Sequence, residues 1–201
     1  MSVMIVRTII GYHATQKDNE ERIEKEGFIK SVATKRHMHW LGSGVYFFID
    51  FYNALLWNGK DFSNKLESKM ISGTKKHIIY KAIIMVEEDK YLDFSSRVGQ
   101  LIIDYMKDGL KTILKKEGRA TLIDKLNKRS PKYWIYFLQK YGFLDNYYVI
   151  AATFIEPETQ YNITRYRDQF IHNKIEMVCV RNRECIKEYK KYHNIGKENR
   201  I

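Results

Sequence analysis

Three short stretches of this chain carry side chains able to do chemistry. Gly11-Tyr-His13-Ala-Thr15 sets a histidine at the end of a β-branched run. Leu41-Gly-Ser-Gly-Val-Tyr46-Phe-Phe is a glycine turn running into an aromatic strand, and such a turn lets backbone approach a ligand closely. Lys174-Ile-Glu176-Met-Val-Cys-Val puts a carboxylate near the head of an apolar strand. Each has an ordinary reading as well: a histidine satisfied by its neighbours, a tight connection, and an edge carboxylate in water.

Other chemistries lack their signatures. No Gly-x-Gly-x-x-Gly follows a strand, no Gly-x-x-x-x-Gly-Lys-Ser/Thr cradles phosphates, and no His-Glu-x-x-His awaits zinc. His37 and His39 with Cys179 and Cys185 fit no zinc spacing, so no metal is expected.

The elements that position these residues can be read from periodicity. Met1–Tyr12 reads as a strand and QKDNEERIEKEG as a helix capped from Thr15 or Asp18. Residues 28–40 read as a loop, VYFFI as a strand, and FYNALLWNGK as a helix capped by Asp50. His77–Glu87 is a long β-branched strand leading into YLDF. From Ser96 the period turns helical, with Leu101, Ile102, Tyr105, Met106, Leu110, Ile113 and Leu114 expected on one face. ATLIDKLNK and PKYWIYFLQKYG read as two more helices, and NYYVIAATFIE and KIEMVCVRN as strands. The order of strands, helices and strands predicts an α+β fold in one domain over 1–201, with a helical insertion at about 96–142.

The three stretches occur in order, each at a strand edge. In that order they resemble the ADP-ribosyltransferase superfamily, and more closely its poly(ADP-ribose) polymerase-like branch with a His-Tyr-Glu triad. Tyr12-His13-Ala-Thr is similar to the first-strand His-Gly-Ser/Thr, and Gly42-Ser-Gly44-Val-Tyr46-Phe47 to Gly-x-Gly-Ile/Val-Tyr-Phe. Ile23-Glu-Lys-Glu-Gly27-Phe28 resembles the helix end between them. Asn53-Ala54 and Trp57 lie where the family has a small residue, Ala and an aromatic. Glu176-Met-Val-Cys-Val, followed by Glu184-Cys-Ile186, is similar to the last Glu-bearing strand.

The resemblance implies split or mixed β-sheets around a cleft for NAD, used as co-substrate. It implies catalytic roles for His13, Tyr46 and Glu176. His13 would bind the adenosine ribose and the backbone at Ala14 the nicotinamide carboxamide, although Ala stands where the family usually has Gly. Tyr46 and Trp57 would flank the nicotinamide, and Glu176 would bind its ribose. Thr15, Gly44, Asn53 and Ala54 would complete the NAD site. Arg36, just before the glycine turn, is a candidate for the pyrophosphate. The chemistry suits these roles. Nicotinamide leaves neutral, positive charge builds on the ribose, and a carboxylate beside it favours that oxocarbenium-like state.

The acceptor is read from charge. The chain carries a net +11. Residues 97–145 hold 11 basic and 5 acidic residues, and 181–201 hold 7 and 3. A basic surface draws polyanions. The stretch 156–175 interleaves Arg165, Arg167 and His172 with Tyr161 and Tyr166, a composition suited to stacking single-stranded bases. Lys174 stands where arginine-modifying transferases typically carry Glu or Gln. Lys174, Arg165, Arg167 and Tyr166 are therefore the candidate acceptor-binding residues, with RNA favoured over DNA. The alternatives are the same transfer to protein, and a basic nucleic-acid-binding module with no catalysis.

The longest stretch free of Asp, Glu, Lys and Arg is His37–Ile49, 13 residues, too short to span a membrane. The first residues do not read as a signal peptide, and two cysteines suit a reducing compartment. A cytoplasmic enzyme is expected. Its size and charge resemble toxins of toxin–antitoxin or anti-phage systems, held by an antitoxin protein with a chaperone.

Overall fold

The computed structural model describes residues 4–57, 77–155 and 174–192. It is an α+β structure with seven strands and five α-helices among those residues. Strand β1 is Val6–Gln16, helix α1 Glu20–Glu26, β2 Val45–Phe48, α2 Phe51–Trp57 and β3 His77–Glu87. Then come β4 (Tyr91–Asp93), three helices, α3 (Arg97–Lys116), α4 (Ala120–Asn127) and α5 (Pro131–Lys140), and strands β5 (Val149–Ile155), β6 (Lys174–Val180) and β7 (Ile186–Lys191).

The strands form one mixed sheet in the order β4-β5-β6-β2-β1-β3-β7. Only β4 and β5 run parallel; the other neighbours are antiparallel. The longest ladder joins β1 to β3 over eleven register pairs, Val6↔Glu87 to Gln16↔His77. By contrast β1 and β2 share one pair, Tyr12↔Phe48. The sheet is therefore weakly stitched at its centre, between the strand that carries His13 and the strand that carries Tyr46.

Alternation sorts the side chains into two cores. On one face Phe48, Ile150, Met177 and Cys179 pack under the three consecutive helices. On the other, Phe47, Val178 and Val149 meet Ile84 and Val86 of β3, with Ile23 of α1 and Phe28 behind them. Strands β3 and β5 lie four places apart in the sheet, yet their same-side residues share this core, so the sheet curls round it. Leu110, Leu114 and Leu138 are fully buried, and each contributes about 1.5–3 kcal/mol to the first core.

Local chemistry sets the element ends. Ser96 caps α3, its Oγ accepting from the Gly99 amide at 2.9 Å. Pro131 opens α5, where the missing amide costs nothing. Asp50 Oδ1 accepts from the Tyr52 amide at 2.6 Å and so starts α2.

Several expectations need correction. The first strand extends to Gln16 rather than ending at Tyr12, because its whole length finds a partner in β3. The helix expected from residue 15 or 18 begins at Glu20, after a turn of 3-10 helix. On α3 the buried row is Ile103, Met106, Leu110 and Leu114, whereas Leu101 and Tyr105 are exposed. The face is rotated because the helix must cover the sheet and α5 at once.

Candidate active site

His13, Tyr46 and Glu176 sit on β1, β2 and β6, which are consecutive at the middle of the sheet. The His13 ring packs edge-on to Phe28 and tilted against Phe47, with centroids 4.9 and 5.6 Å away. Its Nδ1 lies 2.8 Å from the carbonyl oxygen of Tyr46. A carbonyl only accepts, so Nδ1 carries the hydrogen and Nε2 keeps its lone pair. Desolvation holds the imidazole below its ordinary pKa of 6.5, and the hydrogen bond to Tyr46 opposes that shift. The ring is thus a neutral acceptor at Nε2, an atom with no partner among the described residues.

Tyr46 points to the opposite face of the sheet. Its hydroxyl donates to the Gly42 carbonyl at 2.7 Å and accepts from the Leu41 amide at 3.0 Å. Burial pushes its pKa well up. The expected ring contact with a ligand shared by all three residues is not what this orientation offers. Tyr46 reaches His13 through its main-chain carbonyl instead.

Glu176 is exposed. Alternation from buried Val178 and Val180 places its side chain on the His13 face. Its own carbonyl accepts from the Ile49 amide at 3.0 Å, which fixes the backbone just beyond the end of β2. Register sets His13 level with Val178, two strands away, so the His13 and Glu176 backbones stand about 12 Å apart.

Glu176 borders an open trough of 680 Å³ between the first half of β1 and strands β4, β5 and β6. That volume is in the range of small-molecule sites. Ile9, Ile49 and Ala151 give it apolar surface, and Asp93 adds a second carboxylate. Arg7, its cation, forms a bidentate pair with Glu88 at 2.6 and 3.0 Å and lies 4.2 Å over the Tyr91 ring. Neither His13 nor Tyr46 lines the trough. Arg7, Tyr91 and Asp93 were not singled out from sequence; the available signal was a lone arginine within an apolar strand.

The remaining candidates divide. Ala14 is partly buried and level with Ile79 of β3. Thr15 Oγ1 accepts from the Asn19 side-chain Nδ2 at 2.9 Å, which ties the strand to the turn before α1. Gly44 serves packing rather than ligand approach: a Cβ there would collide with Cys179 Sγ and stand 2.8 Å from the Val180 carbonyl oxygen. Its neighbour Gly42 has φ +84°, which glycine adopts without strain. Ala54 is fully buried against the helical core, so it packs rather than binds. Asn53 donates from Nδ2 to the Lys174 carbonyl at 3.2 Å, joining α2 to the head of β6. Arg36 and Lys174 are exposed. Trp57 ends α2, and its side chain lies outside the described residues, as do Arg165, Tyr166 and Arg167. Among the described residues no three His, Cys, Asp or Glu side chains gather as a metal site. No described helix is long and apolar enough to cross a membrane.

No family model matches the chain, and no solved structure does. The chain is 27% identical over 95 residues to an uncharacterized protein of Methanocaldococcus jannaschii. That match covers 47% of this chain and 41% of the relative, so the chain spans less than half of the length of the protein it resembles.

Proposed function

We propose that the chain is an NAD-dependent ADP-ribosyltransferase, with nucleic acid as acceptor and RNA favoured over DNA. The observation that carries this reading is the trio of central strands. They hold a neutral histidine with a free Nε2 and an exposed carboxylate on one face, and the carboxylate borders a trough. The residues fit NAD in part: Nε2 of His13 suits a ribose hydroxyl as donor, and Glu176 suits the nicotinamide ribose. The Tyr46 ring does not fit the same pocket, so its contribution is to hold His13 through its carbonyl.

In the reaction the bond from ribose C1′ to the pyridinium nitrogen breaks, and its electron pair leaves with neutral nicotinamide. The Glu176 carboxylate stabilises the positive charge left on the ribose. The acceptor's lone pair then forms the new bond at C1′, and its proton passes to Glu176 or to water. The net charge of +11 supports a polyanionic acceptor brought in by its phosphates. A toxin role with an antitoxin partner rests on the resemblance in size and charge alone.

One observation favours transfer to protein instead. The trough shows two carboxylates, and its arginine is already paired with Glu88, so its lining suits a cationic side chain better than a phosphate. Labelled NAD in a cell lysate, followed by nuclease or protease digestion, separates the two. Label released by nuclease supports nucleic acid and label released by protease supports protein. No label in either, with no nicotinamide released, overturns the enzymatic reading.

A further inference from the structure

Among the described residues no helix covers the outer face of β1 and β3 beyond the helical layer. Val6 and Ile10 of β1 and Met85 of β3 are 39%, 48% and 37% exposed. The ladder sets Ile10 beside Ile83 and Val6 beside Glu87. Along β3 the side chains on this face read Lys81, Ile83, Met85 and Glu87: a cation, two apolar residues, an anion. Neither Lys81 nor Glu87 has a hydrogen-bond or ion-pair partner among the described residues. Across the sheet Lys81 stands level with Lys190 of β7, a like-charge pair that costs stability where it sits.

This order of charges complements itself. A second copy laid face to face about a two-fold axis, parallel to the sheet and across the strands at Ile84, reverses β3 against its twin. Ile83 then meets the partner's Met85, and Lys81 comes over the partner's Glu87 at both ends. Isologous contacts of this kind repeat every pair twice. We propose that this face is a homodimer contact, made by sheet stacking with an apolar centre and two symmetric Lys81–Glu87 ion pairs. The contact is small, so the dimer is weak and reversible.

Sedimentation equilibrium over a concentration series tests it. The wild-type chain is expected to dimerise reversibly. K81E and E87K each place like charges at both ends and weaken the dimer by about tenfold. The double variant K81E/E87K restores it. Mixing the two single variants also restores it, because each supplies the charge that the other lacks. Far-UV circular dichroism confirms that each variant is folded, and the neutral pair K81Q/E87Q gives an intermediate affinity if a charged form does not fold. A chain that stays monomeric overturns the proposal. So does a dimer that the single variants leave unchanged, or one that the double variant does not restore.

Discussion

The Nδ1 of His13 and the main-chain oxygen of Tyr46, 2.8 Å apart, tie together two strands that share one register pair. The side chain does there what a ladder would otherwise do. It also fixes which ring nitrogen is free.

That geometry gives a pH dependence with a defined sign. The folded imidazole has a pKa below its ordinary 6.5, so the unfolded chain binds this proton more readily. The stabilising effect is complete above about pH 6.5 and is lost as the pH falls through the lower, folded value. Urea midpoints measured from neutral to mildly acidic pH are expected to decline over this window. The His13→Gln variant should lose that part of the decline. An NMR titration should show the His13 ring staying neutral below the ordinary histidine pKa of 6.5.

Glu176 is expected to matter for turnover and not for folding. Its carboxylate is exposed and has no partner among the described residues. Glu176→Gln should lower nicotinamide release by about a hundredfold or more while the unfolding midpoint stays put. A variant with full turnover removes Glu176 from the chemistry.

Tyr46→Phe tests a positioning role. The hydroxyl closes the glycine turn by bonding Leu41 and Gly42, and losing it should cost about 1–2 kcal/mol of stability. The bond from His13 Nδ1 to the main-chain carbonyl of residue 46 survives in the variant, so its NAD affinity should change little. A large loss of affinity with unchanged stability would show that the Tyr46 hydroxyl is itself needed for the ligand.

The two cysteines should be inert in the native state. Burial pushes the Cys179 thiol up to about 12 and raises Cys185 as well. A thiol reagent at pH 8 is expected to label neither until denaturant is added. Rapid labelling of Cys179 in native buffer would mean that the sheet opens between β2 and β6.

A packing test follows from Gly44. Adding a methyl group there drives it into Cys179 and the Val180 carbonyl, both held in the core. Gly44→Ala should destabilise the fold by about 1–3 kcal/mol.

Most of the element order was legible because its signals are local. The β-branched run at 77–87, the apolar period after Ser96 and the proline before α5 each act on their own neighbours in the chain. What was not legible depends on contacts between distant segments. The end of β1 is decided by β3, where Gln16 pairs with His77 far along the chain. The buried row of α3 is decided by which faces the sheet and α5 present, so Leu101 and Tyr105 were misassigned. At the site, the strands carrying His13, Tyr46 and Glu176 could be ordered from sequence, but the direction of the Tyr46 ring could not. Alternation along β2 gives two faces and does not say which one a ligand would use. The trough is not legible in the sequence because Arg7, Tyr91 and Asp93 come together only when the sheet curls.

Gln139 of α5 grips Ser43 twice, accepting from its amide at 2.7 Å and donating to its hydroxyl at 2.8 Å. That hydroxyl in turn accepts from the Ala33 amide at 2.9 Å. Helix α5 is thus clasped to the bend that precedes Tyr46. Excising the helices to make a minimal catalytic fragment would unclasp this bend and cast the His13 tether adrift. The same clasp offers a route by which any molecule seated on the helices could be felt at the histidine.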